Sequence, residues 1–227
     1  MWCGVERGRN VIEMSRFHKD NRFPEIAEVE AYWTALRGAR AVPARIDIDP
    51  RGIEGALSHT FLLERVAPGV GRLRLAGMHL NDLLGMEVRG MPLSALFAPQ
   101  HRARIADLME QVCACPAIAD LTLTAERGIG KPALEARMKM LPLTDSQGRV
   151  TRILGCLSML GHVGRAPRRL MIASDRLTLL DGRVVQAPQP EAAGFAEPAQ
   201  PFERADRRHL QDVADKHPYL RLIKSEG

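Results

Sequence analysis

Four cysteines and seven histidines are the residues of this chain best suited to holding a metal or acting as a nucleophile. Cys113-Ala-Cys115 is the one close pair of cysteines. Its spacing is too tight for a zinc knuckle, and no second Cys/His pair lies nearby. Cys113 continues a helical pattern, where a free thiol behaves as a small apolar side chain. In a reducing compartment Cys3, Cys113, Cys115 and Cys156 do not build a disulfide framework. Gly128-Ile-Gly130-Lys131-Pro132 has the outline of a phosphate cradle. It lacks the glycine spacing and the hydroxyl residue after the lysine, and Pro132 removes an N–H donor, so a loop between strands is the better reading. Arg165-Ala-Pro-Arg-Arg169 carries the doubled arginine of a cyclic-dinucleotide site without its downstream Asp/Asn-x-Ser-x-x-Gly partner. No Gly-x-Ser-x-Gly, no phosphate loop and no His-Glu-x-x-His occurs. The residues predict no catalytic site, no metal site and no enzyme.

Composition narrows the remaining classes. Hydrophobic residues make up 45% of the chain and aromatics only 4%, so Leu, Ile, Val, Met and Ala must fill the core. Met78, Met86, Met91, Met109, Met138, Met140 and Met159 concentrate in the expected core elements. They either fill an aromatic-poor core or line a pocket for an apolar ligand, and filling is the favoured reading. The net charge is +5, but bases are interleaved with acids, as in Glu64-Arg65 and Asp206-Arg207-Arg208. That pattern predicts a solvated mixed surface and no nucleic-acid partner. No stretch approaches the roughly 20 apolar residues that span a bilayer, and the N-terminus has no apolar core of a secretory signal. A cytoplasmic protein without membrane insertion is expected, and Met14 offers an alternative start to Met1.

The elements follow from periodicity. Pro24 opens a helix in which Ile26, Val29, Trp33 and Leu36 recur at intervals of three and four, and Gly38 ends it. A second helix starts at Asp49-Pro50, with aspartate as the cap and proline in the first turn. Thr60–Val66 and Gly71–Ala76 read as strands joined by Pro68-Gly69. In the second, Leu73 and Leu75 alternate with Arg72 and Arg74, which puts the leucines on one face. Gly85 and Gly90 break residues 77–98 into short helical turns. A longer helix runs from Pro99 to Pro116 with Ile105, Leu108, Met109 and Val112 on one face. Three more strands are expected at Asp120–Glu126, Leu134–Met140 and Val150–Leu160, the last two separated by the turn Asp145-Ser-Gln-Gly148. The fold class is therefore α+β: a five-stranded antiparallel sheet with short helices over one face and the N-terminal helix outside that core.

Trp33-Thr-Ala-Leu36-Arg37 followed by Pro43-Ala-Arg45-Ile-Asp47-Ile-Asp49-Pro50 resembles the N-terminal signature of a family of small bacterial PAS-domain proteins of unknown function. The stretch from Arg72 to Gly85, with Gly77 and then Gly90, resembles the same family's strand and following helix. The resemblance covers about residues 25–162 and implies a PAS-like fold over 21–164. Residues 1–20 are expected to be disordered. Residues 165–185 are expected to add a strand or edge segment. Residues 186–227 form a Pro/Ala-rich tail ending in the apolar segment Tyr219-Leu-Arg-Leu-Ile223.

The resemblance also implies function. Related domains use the pocket between sheet and short helices for haem, flavin or small metabolites. Haem needs an axial ligand, and His79 and His101 are the candidates by position. The Asn-Cys-Arg-Phe motif of the light-sensing branch is absent. No effector segment follows the domain, so the reading is a stand-alone PAS module in signal transduction, a regulatory or protein-interaction adaptor. The alternatives are a haem- or metabolite-loaded sensor and an enzyme on a PAS-like scaffold. The apolar stripe Ile26, Val29, Trp33, Leu36 is expected to pair with a second copy in a homodimer or with a signalling partner. Arg45 and Asp47 are expected to hold the link between the first two helices.

Overall fold

A computed structural model describes residues 22–180 together with the backbone of residues 184 and 185. The segments expected to be disordered, 1–20 and 186–227, and the apolar Tyr219–Ile223 segment lie outside the described residues. Helix α1 spans Pro24–Arg37, and after a 3-10 turn at Arg45–Asp47 a 3-10 helix runs from Pro50 to His59. Strands β1 (Thr60–Ala67) and β2 (Val70–Ala76) follow. Next come helix α2 (Met78–Leu84), 3-10 turns at Leu93–Leu96 and Pro99–His101, and helix α3 (Arg102–Ala114). Strands β3 (Ala117–Ala125), β4 (Glu135–Thr144), β5 (Val150–Leu160), β6 (Leu170–Leu179) and β7 (Val184–Val185) complete the described chain.

All strand pairs are antiparallel, in the order β2-β1-β5-β4-β3-β6-β7. The five strands expected from the sequence lie side by side from β2 to β3, in the α+β, PAS-like arrangement. The sheet is wider than five strands because β6 pairs along the whole of β3, from Ala117↔Leu179 to Ala125↔Leu170.

Each face of the sheet has its own core. On one face α2, α3 and the short turns pack Leu80, Leu83, Leu96, Phe97 and Leu108 onto Leu63, Leu121, Leu123, Met138, Met140 and Leu157. On the other, α1 and the Pro50–His59 helix lay Ile26, Val29, Trp33, Ile53 and Ala56 over Leu62, Leu141, Leu143, Leu154 and Cys156. The alternation along β4 serves both cores at once: Met138 and Met140 face one, Leu141 and Leu143 the other.

Strand β2 departs from the expected alternation. Leu63 pairs with Leu73 and Leu62 with Leu75, so the register slips at Arg74. This bulge turns Leu73 into the helix-covered core and Leu75 to the opposite face, where it is 52% exposed. The two leucines therefore do not share a face.

Candidate functional site: a signature-lined depression beside β2

The signature residues Trp33 to Pro50 divide into a clamp and a rim. The clamp joins α1 to the far end of β4. Trp33, 1% exposed, donates from Nε1 to the Pro142 carbonyl at 2.9 Å. Arg37 lies over the indole at 5.8 Å and donates from Nε to the Arg40 carbonyl at 3.0 Å. The Pro43 carbonyl accepts from the Thr144 N–H at 3.0 Å, so the link runs beside β4 where β3 has already ended. Asp47 takes the Arg40 guanidinium at 2.6 Å and the Ala44 N–H at 3.3 Å. The hydrogen bond from Arg40 is the main reason its carboxyl titrates below the usual range. Asp49 accepts from the Arg51 N–H at 3.0 Å as a cap, and Tyr32 bonds both backbone groups of Asp49. Pro50 fills the first position of the 3-10 helix.

The link is therefore held by Asp47 and Arg40, not by Asp47 and Arg45. Arg45 instead lines an open depression of about 620 Å³ beside β2, together with Leu62 and Leu75 of the α1 face. Leu62 and Leu75 supply its apolar side chains on this face, and the β2 bulge is what brings Leu75 there. Arg45, Arg74, Arg89 and Glu87 surround it, with Gly90 at its edge. Arg74 is engaged: it and Arg152 both pair with Glu64, whose carboxyl is held low, chiefly by the hydrogen bond from Arg152. The side chains of Arg45 and Arg89 make no hydrogen bond or ion pair among the described residues.

The signature glycines are backbone devices. Gly77 approaches the Ser58 carbonyl so closely that a Cβ would sit 2.1 Å from its oxygen. Gly90 adopts φ +80°, accepts from Arg72 at its carbonyl, and donates its N–H to Leu73 at 2.7 Å, fixing the rim. Gly85 closes α2 in the left-handed region.

The stripe expected to pair with a second copy is covered by the chain's own sheet. Ile26, Val29 and Trp33 are at most 4% exposed, and Leu36 is half-buried. Polar contacts seat the same helix. Ser158 donates to Glu25 at 2.7 Å, and Lys139, itself 6% exposed, pairs with Glu30 at 2.5 Å and Asp120 at 3.2 Å. A helix with an apolar stripe must bury it somewhere, and a sheet with two apolar faces offers the nearest place.

The haem candidates do not converge on the helix-covered interior. His79 stacks on His59, with ring centroids 3.9 Å apart and planes inclined by 16°, where α2 meets the 3-10 helix before β1. His101 is a partly exposed residue of the Pro99–His101 turn. Between sheet and helices, Leu63, Leu80, Leu96, Leu108, Met138 and Met140 are at most 1% exposed and pack against one another. The residues present do not fit haem. The methionines of this face fill it, apart from Met78 and Met86, which are exposed.

Among the described residues no cluster of three or more His, Cys, Asp or Glu side chains could hold a metal. No described helix is long and apolar enough to cross a membrane. Burial pushes the Cys113 thiol up to about 11 and that of Cys156 to about 12, so neither is poised as a nucleophile. Lys131 reaches the Pro167 carbonyl at 2.8 Å, which uses the cradle-like loop to tie down the segment before β6.

One family model, described as a PAS domain, matches residues 22–158. Among solved structures the chain is similar to the light state of the blue-light photoreceptor Aureochrome1 LOV. Identity there is 16% and the TM-score 0.37, over 49% of this chain and 88% of that one. It is also similar to an RNA-binding light-oxygen-voltage receptor, at 18% identity and a TM-score of 0.33, over 69% of this chain and 36% of that one. A comparison with curated proteins finds no match.

Proposed function

The chain belongs to the PAS domain family, and from that membership we propose that it works in the cytoplasm as a signalling adaptor, binding a partner protein without catalysis or a resident cofactor. The observation that carries this reading is the packed interior between the sheet and α2–α3. A domain that senses through a bound molecule needs room there, and here the room is taken by leucine, phenylalanine and methionine side chains. Among the described residues the buried thiols Cys113 and Cys156 offer the catalytic alternative no ready nucleophile, since burial holds them protonated. The recognition chemistry that remains lies on the outside, at the uncovered part of the sheet.

Native mass spectrometry and an absorption spectrum of the purified chain test the reading together. The expected result is the bare polypeptide mass with no visible absorption band. A co-purifying chromophore or a stoichiometric small-molecule adduct overturns it in favour of the ligand-loaded sensor.

A further inference from the structure

The adaptor reading leaves open where a partner binds, and on that reading we propose that the depression lined by Arg45, Arg89 and Leu75 is the docking site for an acidic, apolar-bearing segment of a partner protein. Three features of the fold converge there. The first is uncompensated charge. Arg45, Arg74 and Arg89 face one lining carboxylate, Glu87, and of the three only Arg74 is paired among the described residues. A guanidinium presents a planar fork of donors that fits a carboxylate in bidentate fashion, so two unengaged arginines across one depression are a receptor for carboxylates.

The second is apolar surface held outside either core. Leu75 is 52% exposed and Ile46, next to Arg45, is 89% exposed. Leu75 is there only because the bulge at Arg74 turns it away from the helix-covered face. A regular strand would have buried it beside Leu73. Bulges commonly re-aim a side chain at a functional position. Leu62, 8% exposed at the edge of the α1 core, adjoins this surface.

The third is positioning. Arg45 sits in the 3-10 turn that Asp47 and Arg40 lock, and Arg89 immediately precedes Gly90, whose backbone is tied to Leu73 and Arg72. Both cations are thus carried on backbone that is fixed to the sheet, which lowers the ordering cost of binding. An open, shallow site with exposed leucine and isoleucine beside its arginines suits a chain segment lying across it. Such a segment would set acidic residues on Arg45 and Arg89 and an apolar side chain on Leu62 and Leu75.

The test is selection of a phage-displayed library of short random peptides on the full chain, followed by binding of the recovered peptides to variants by fluorescence anisotropy. The expected peptides carry at least a pair of Asp or Glu residues around a Leu, Ile or Phe. The double variant Arg45→Glu/Arg89→Glu should weaken them by about tenfold or more, and Leu75→Asp should also weaken them. Arg127→Glu, on an exposed loop elsewhere, should leave them unchanged. A thermal melt of each variant separates lost binding from lost fold, and Arg45→Ala/Arg89→Ala serves if charge reversal unfolds the chain. Recovery of no peptides, of neutral or basic peptides, or of peptides that bind the double variant equally overturns the site. So does a single-stranded oligonucleotide that binds the wild type more tightly than the peptides and is lost with the same arginines. These outcomes leave the adaptor reading standing, because that reading fails on a co-purifying chromophore or small-molecule adduct.

Discussion

The Trp33 indole donates a 2.9 Å hydrogen bond to the Pro142 carbonyl, across 109 residues of chain and beneath the surface. The contact explains how a proline can stand inside β4. Pairing with β3 stops at Ala119↔Met140, while Pro142 still pairs in register with Ile153 of β5. The missing N–H of Pro142 therefore falls on the side that β3 has vacated, where no ladder bond is lost. The carbonyl on that side would be a buried acceptor without a partner, and the indole supplies the donor. The indole thus supplies the partner that β3 does not offer beyond Met140.

Truncating Trp33 should therefore cost both packing and this hydrogen bond. Trp33→Ala is expected to lower stability by about 3–5 kcal/mol in urea unfolding. Trp33→Phe keeps most of the apolar contact but leaves the Pro142 carbonyl unpaired, at about 1–3 kcal/mol. Equal losses for the two variants would mean that the hydrogen bond contributes nothing.

Arg168 sets a second requirement. It is fully buried, donates to the carbonyls of Val163 and Pro132, and its backbone N–H bonds Leu83 at 2.8 Å. Among the described residues no carboxylate lies at contact distance, and burial pulls the Arg168 pKa below the usual arginine value. The fork geometry matters more than the charge here. Arg168→Ala should destabilise by about 1–3 kcal/mol for each carbonyl left without a donor. Arg168→Lys should recover little of it, because an ammonium cannot span two carbonyls as a guanidinium does. Full rescue by lysine in a denaturation titration would refute that reasoning.

Cysteine reactivity gives a direct check on burial. Cys115 is exposed, whereas Cys113 and Cys156 are buried with thiols pushed up to about 11 and about 12. Peptide mapping after brief iodoacetamide treatment at neutral pH should find Cys115 alkylated and the other two intact. Early labelling of Cys156 would show that α1 leaves the sheet, since Cys156 lies in the core that the helix covers.

His59 makes stability depend on pH. Burial, and then the neighbouring His79, hold its folded pKa below the ordinary histidine value of 6.5, with Glu25 acting weakly in the other direction. The unfolded chain therefore takes up this proton first as pH falls. Stability should be intact above 6.5 and decline as pH drops through 6.5 toward the folded value. His79→Gln removes the like charge but not the burial, so the decline should become shallower without vanishing. Unfolding midpoints measured from neutral pH down to about pH 5.5 read this out, and a slope unchanged in His59→Gln would assign the effect elsewhere.

Much of this architecture was legible in the chain because each β-strand declares which sides it buries. Leu121 and Leu123 lie on the buried face of a strand whose intervening positions are less buried, and Val150–Leu160 reads as one apolar run because both its faces are covered. Four things were not legible. The extension of β4 through Pro142 depends on where β3 ends, which no local pattern encodes. The fate of the α1 stripe depends on the outer sheet face also being apolar, a property of four strands together. Arg45 and Asp47 look alike as charged residues of one motif, yet among the described residues only Asp47 has a partner within reach.

The slip in β2 is the sharpest case, and it can be measured. Strict alternation places Leu73 and Leu75 on one face with equal burial; the bulged register buries Leu73 completely and leaves Leu75 52% exposed. In the bulged sheet Leu73→Ala should cost about 2–5 kcal/mol, as a deletion among Leu63, Leu93 and their neighbours. Leu75→Ala removes a side chain that already meets solvent and should shift stability by no more than about 0.5 kcal/mol. Urea unfolding of the two variants decides between the registers. Similar losses would restore the regular strand, return Leu75 to the core, and take the apolar floor out of the depression beside Arg45.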